Sequence, residues 1–93
     1  TEADHTHILT NSGAKAAIVS GPKLAKNLLP AALATENCRT IISMEPLADV
    51  QGLGIHLWSA LVAARGAMLE ADRAALPARA TMQRSDLACL IYT

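Results

Sequence analysis

The chain alternates between two kinds of apolar pattern. Short stretches built around consecutive apolar residues, Ala16–Val19, Ile41-Ile42 and Leu87–Ile91, are separated by segments whose apolar residues recur every three or four positions. The first kind is typical of strands buried on both faces of a sheet, and the second of amphipathic helices. The order helix, strand, helix, strand, helix, strand predicts an α/β fold, in which helices pack on an open layer of mainly parallel strands.

Local signals place the first helix. Thr1-Glu2-Ala3-Asp4 has the pattern of a capping box, in which the Thr hydroxyl and an acid three residues later satisfy free N–H groups at a helix start. Gly13 can take the left-handed conformation that ends many helices. We therefore expect a helix from about Glu2 to Asn11.

The second helix follows a strand over Ala16–Ser20. Ser20 or Gly21 can cap this helix, and Pro22 is tolerated in its first turn. Its apolar stripe is expected to consist of Leu24, Leu28, Ala31 and Ala32. Pro30 lacks a backbone N–H, so we expect a kink or an early end near Leu29.

The second half of the chain is interrupted more often by Pro and Gly. The predicted elements are a strand over 39–43, a loop over 45–54, a helix over 55–66, a helical turn or two over 70–76 limited by Pro77, and a final strand over 86–93. His56 heads the predicted helix, where it caps the helix or faces solvent, and Trp58 is expected in the core. Neither residue is given a functional role.

Composition narrows the classes of function. Eight basic residues balance eight acidic ones, so no net charge would draw the chain to nucleic acid. Cys38 and Cys89 lie far apart in predicted strands, which favours buried free thiols in a reducing cytoplasm over a disulfide or a zinc site. The sequence has neither a signal-peptide pattern nor an apolar stretch of about 18 residues, so we expect no membrane span.

The carboxyl ends of parallel strands are where α/β proteins bind their ligands. In this sequence the predicted ends are Val19-Ser20, Ser43-Met44 and Tyr92-Thr93. Tyr92-Thr93 places a phenol and a hydroxyl at the tip of an apolar strand. That hydroxyl could bind phosphate or magnesium if a glycine-rich turn came next.

Two stretches of the chain contain motifs that are more informative together than separately. The first is Ile8–Lys15, a helix end with the turn Asn-Ser-Gly-Ala-Lys, followed by the apolar run Ala17-Ile18-Val19. The second is Asp86–Thr93, whose letters DLACLIYT fit the pattern D-L-A-x-[IL]-[IL]-Y-T. Together and in this order they resemble the adenylate-forming (AMP-binding) enzymes, especially acyl-CoA synthetases such as the long-chain fatty acid–CoA ligases. In that family the strand directly precedes a phosphate loop, S-G-T-T-G-x-P-K-G.

The resemblance implies a ligase that works in two steps. A carboxylic acid, fatty or otherwise hydrophobic, attacks the α-phosphate of ATP to give an acyl-adenylate, and the thiol of coenzyme A then displaces AMP. The resemblance assigns Thr93 to the phosphates or to Mg²⁺, and Tyr92 to positioning of the phosphate loop. It also implies a cytoplasmic location, with peripheral contact to a membrane left open.

The resemblance further implies that residues 1–93 are a single segment of the family's large N-terminal domain, truncated just before the phosphate loop. The glycine-rich loop, the adenine- and ribose-binding motifs and the catalytic lysine of the mobile C-terminal domain are not among these residues. The segment alone is therefore expected to be inactive. Its implied partners are the rest of its own N-terminal domain, the mobile C-terminal domain and the carboxylic acid substrate.

Two short motifs suggest other sites. Asp4-His5-Thr6-His7 suggests a metal site, but neighbouring positions on a helix point to different faces, which favours a solvated helix start. Ser20-Gly21-Pro22-Lys23 places a Gly and a Lys after a strand. It lacks the GxxxxGK[ST] spacing of a phosphate loop, which favours a plain turn.

Two rival functions do not involve catalysis. A small α/β signalling module of the receiver type would need acidic residues at its strand ends, where Ser20, Ser43 and Thr93 lie instead. A stand-alone structural or interaction module would have to unfold cooperatively by itself.

Overall fold

The computed structural model describes residues 1–64, 70–87 and 89–91. Its elements are α1 (Glu2–Ser12), β1 (Ala16–Val19), α2 (Pro22–Ala34), β2 (Thr40–Ser43), β3 (Gly54–Leu57), α3 (Trp58–Ala64) and α4 (Glu70–Arg79). The described strands form one parallel sheet in the order β1-β2-β3. The predicted α/β class with parallel strands is therefore confirmed.

Both ends of α1 form as the local signals predict. The Thr1 hydroxyl accepts a hydrogen bond from the Asp4 N–H at 3.2 Å and donates one to the Asp4 carboxylate at 2.8 Å. These contacts, with the charge of the terminal ammonium, lower the pKa of Asp4. At the other end Gly13 has φ 69°, and its N–H donates to the Leu9 carbonyl at 3.1 Å. The helix extends one residue beyond the predicted end, to Ser12.

The strands differ in how they are connected. β1 joins β2 through α2, which gives the usual helical crossover between parallel strands. β2 joins β3 through residues 44–53, a connection that contains neither helix nor strand in the described chain. The Arg39 guanidinium lies between this loop and the end of α2, donating to the Gly52 carbonyl at 3.3 Å and the Leu33 carbonyl at 3.5 Å. Arg39 thereby connects the loop between β2 and β3 to the end of helix α2.

The two faces of the sheet have different surroundings. One face carries Val19 and Ile41, which pack in a single core with residues of α1, of α2 and of the segment between α2 and β2: Leu9, Ala25, Leu28, Ala31, Ala32 and Cys38. Strand alternation places six residues on the opposite face, here called the open face: Ala16, Ile18, Thr40, Ile42, Gly54 and His56. Among these six described residues none is buried, and Ile18 is 60% exposed. The prediction that β1 is buried on both faces is therefore wrong for this part of the chain.

Two predictions about α2 also need correction. The helix does not end near Leu29 but continues past Pro30 to Ala34, and the turn that follows the proline buries Ala31 and Ala32 completely. Burial in the core thus outweighs the lost backbone hydrogen bond. The alternative, a kink at Pro30, stays a prediction. Leu24 does not belong to the buried stripe, since it is 60% exposed, and Ala25 takes its place.

The region predicted as one helix over 55–66 begins as a strand. Gly54–Leu57 pairs with β2, with Ile55 opposite Ile41, and helix α3 starts only at Trp58. The 3–4 spacing of apolar residues is real after Trp58, but before it the hydrogen bonds to β2 decide the conformation. Trp58 is 45% exposed rather than buried in the core. Helix α4 includes Pro77 and ends at Arg79, beyond the predicted limit.

The predicted final strand is not formed by the residues that the structure describes. Asp86, Leu87 and residues 89–91 have no strand assignment, and Ile91 is 84% exposed. A strand requires a neighbour to satisfy its backbone groups, and the described part of the chain supplies none here. Ala88, Tyr92 and Thr93 lie outside the described residues.

Asn37 joins α1 to the segment that enters β2. Its side-chain amide donates to the Leu9 carbonyl at 3.0 Å and to the Ala14 carbonyl at 2.7 Å. Both carbonyls flank the turn that ends α1, and the amide is partly buried. One side chain therefore satisfies two backbone acceptors that are 5 residues apart.

The substitution Asn37→Asp is expected to lower the free energy of unfolding by about 1–3 kcal/mol, because a carboxylate cannot donate to two partly buried carbonyl oxygens. Asn27→Asp on the exposed side of α2 is the matched control and should change the free energy of unfolding by about 0.5 kcal/mol or less. Urea denaturation followed by circular dichroism measures both. Equal losses in the two variants would contradict the role given to Asn37.

Candidate functional site

The carboxyl edge of the parallel sheet is the candidate site. Two of the three predicted strand ends meet there, since the Met44 N–H donates to the Val19 carbonyl at 3.0 Å and Val19 pairs in register with Ser43. The third predicted end, Tyr92-Thr93, lies outside the described residues. In the described sheet the next strand along this edge is β3, which ends at Leu57. Sequence reasoning missed it because residues 54–57 were assigned to a loop and a helix.

The two serines on this edge differ in availability. Ser43 is buried, and its hydroxyl donates to the Glu45 carbonyl at 2.6 Å. That bond turns the chain sharply after β2, so the hydroxyl proton has a structural role. Ser20 at the end of β1 is exposed.

Gly21 and Glu45 approach each other closely at the start of α2. A methyl group on Gly21 would overlap the Glu45 carboxylate and lie 3.0 Å from its Cδ. The φ of Gly21 is 178°, an extended value open to any residue, so a larger residue here would only require the exposed Glu45 side chain to move. Gly21 is the N-cap of α2, so the carboxylate lies beside a helix start, where negative charge is favourable.

This arrangement bears on the suggested phosphate loop at Ser20–Lys23. The segment forms a plain turn from β1 into α2, as the spacing favoured. The place that a phosphate would need beside Gly21 already holds the carboxylate of Glu45. Two anions side by side would repel each other, so a phosphate could bind at the start of α2 only if the exposed Glu45 side chain moved away.

A shallow groove of about 350 Å³ lies beside this edge, between β1 and the first turns of α1 and α2. It is lined by His5, Ala17, Ile18, Val19, Ser20, Leu24 and Leu28. The walls are mostly aliphatic, with an imidazole and a hydroxyl as the polar groups. The exposure of Leu24 creates one wall of this groove, and the predicted buried position of Leu24 hid it from sequence reasoning.

The motif Asp4–His7 lies in the first turns of α1. The Asp4 carboxylate is already engaged by the Thr1 hydroxyl. Within residues 1–64, 70–87 and 89–91, no group of three His, Cys, Asp or Glu side chains could hold a metal ion. The assignment of Mg²⁺ to Thr93 falls outside these residues and stays a prediction.

The two thiols have opposite environments. Cys38 is fully buried in the core, and this burial raises its pKa, with the Arg39 charge acting in the opposite direction. It is therefore a protonated packing residue, as predicted. Cys89 is free but exposed, which corrects the prediction that it lies buried in a strand. The correction has the same cause as the missing final strand, because nothing in the described chain pairs with residues 89–91.

Thiol labelling tests this difference. In the folded 93-residue chain, a maleimide reagent is expected to modify Cys89, and to modify Cys38 only after unfolding in urea, with mass spectrometry of the peptides as the measurement. The variant Cys89→Ser, which leaves Cys38 as the sole thiol, should stay unlabelled until it is denatured. Protection of Cys89 in the native protein would contradict the exposed terminal segment and would favour the strand that the sequence pattern predicts.

The sequence and the described geometry therefore agree on the edge but not on every residue. The ends of β1 and β2 lie together as predicted, the position of Glu45 was not predicted, and Tyr92-Thr93 stays a prediction.

No helix in the described ranges is both long and apolar enough to cross a membrane. Compared with protein-family models, with curated proteins and with solved structures, the chain gave no match in any of the three.

Proposed function

We propose that the chain is a segment of the N-terminal domain of an acyl-CoA synthetase, a ligase that activates a hydrophobic carboxylic acid with ATP and transfers it to coenzyme A. The observation that carries this proposal is the order of two motifs, Asn11–Lys15 and Asp86–Thr93. In support, the first motif coincides with the end of α1, the left-handed Gly13 and the start of β1 in a parallel sheet.

Exposed apolar side chains are a second support. Within the described chain, helices α3 and α4 contribute no buried residue. Large apolar side chains are exposed on these elements and on the terminal segment: Trp58, Val62, Leu76, Met82, Leu87, Leu90 and Ile91. A concentration of this kind is expected of a surface that packs against further protein. The proposed partners are accordingly the rest of the same domain and the mobile C-terminal domain.

The proposed reaction has two balanced steps. A carboxylate oxygen of the acid attacks the α-phosphorus of ATP, the bond to the β-phosphate oxygen breaks, and pyrophosphate leaves. The sulfur of coenzyme A then attacks the acyl carbon, the bond from that carbon to the phosphate oxygen breaks, and AMP leaves while the thiol gives up its proton. The first step builds negative charge on the triphosphate, so it requires donors and cations around the phosphates.

Within this chain the proposal gives Thr93 a hydroxyl contact to the phosphates or to Mg²⁺, and gives Tyr92 the task of positioning the loop that follows. Mg²⁺ would supply charge neutralisation at the triphosphate when bound. The exposed end of β1 and the end of β2 lie on the edge where ligands of α/β sheets bind, which agrees with an ATP site in this neighbourhood. The remaining donors would come from the glycine-rich loop and the C-terminal domain.

The experiment that tests the proposal is isotope exchange between pyrophosphate and ATP in the full-length protein that contains this segment. Exchange is expected only when Mg²⁺ and a suitable carboxylic acid are both present, and a series of acids from acetate to palmitate would define the substrate class. Addition of coenzyme A should then release AMP. The 93-residue segment alone is the control and should give no exchange.

Absence of exchange with every acid, in a full-length protein with a cooperative unfolding transition, would refute the ligase proposal. The chain would then belong with the non-enzymatic α/β modules, whose test is ligand or partner binding.

A further inference from the structure

We draw no further inference here: the strongest candidate, the open face of the three-stranded sheet with Ile18 and Ile42 at its centre, carries nothing because nothing in the structure shows what covers it.

Discussion

Replacing Thr93 by alanine in the full-length protein is expected to slow acid-dependent exchange between pyrophosphate and ATP by about 10–1000-fold, the usual cost of losing one donor or ligand that stabilises developing charge. The free energy of unfolding is expected to change little, because the substitution removes only a hydroxyl and a methyl group. The exchange rate at saturating acid and ATP is the measurement.

Two further variants separate the hydroxyl from the side-chain volume. Thr93→Ser keeps the hydroxyl and should retain most of the exchange rate. Thr81→Ala removes a threonine from the exposed segment that follows α4 and should leave the rate unchanged. Exchange at the wild-type rate in Thr93→Ala would remove Thr93 from the ATP site, whereas equal losses in the alanine and serine variants would indicate that the methyl group packs against the loop.

The parts of the fold that the sequence predicts are those decided by neighbouring residues. The capping box at Thr1 and Asp4 and the left-handed stop at Gly13 involve groups within a few residues of each other, and both occur as expected. β1 and β2 were recognisable as short apolar runs with turn residues on either side. Local chemistry was sufficient for these elements because few competing conformations satisfy the same backbone groups.

The errors occur where distant contacts decide. Pro30 predicts a kink or an early helix end locally, but α2 continues to Ala34 with Ala31 and Ala32 buried in the core. Ile55 and Leu57 fit the edge of a helical pattern, but hydrogen bonds to β2 make them a strand. Neither outcome can be read from a local window, since both depend on how the sheet is assembled.

The candidate site also has a part that the sequence predicts and a part that depends on distant contacts. The ends of β1 and β2 were predictable because parallel strands place their carboxyl ends together. The contact between Glu45 and Gly21 was not, because it depends on the turn after β2, which the Ser43 hydroxyl fixes through the Glu45 carbonyl. The Tyr92-Thr93 prediction rests on a resemblance between sequences and lies outside the described residues.

Because the core lies on one face of the sheet, substitutions on the two faces are expected to differ in their effect on the free energy of unfolding. Ile41→Ala is expected to lower the free energy of unfolding by about 2–5 kcal/mol, because Ile41 is fully buried in the central strand between the residues of α1 and α2. The structure can close only partly around the resulting cavity, because β1 and β3 pair with β2 on either side of Ile41. Ala17 and Ile55 are the register partners of Ile41. Urea denaturation of the 93-residue chain is the measurement.

Ile42→Ala is the matched control, since it removes the same atoms one residue further along the same strand. Ile42 lies on the open face and is only half-buried, so the expected loss is about 1 kcal/mol. Similar losses for the two variants in the isolated chain would contradict a core confined to one face.

The same two substitutions in the full-length protein measure how much stability the rest of the domain adds on the open face. Parallel sheets are ordinarily covered on both faces, so the cost of Ile42→Ala should rise toward that of Ile41→Ala if a further layer packs there. This comparison depends on packing alone, and it would establish whether the segment is part of a larger domain even if no carboxylic acid supported exchange.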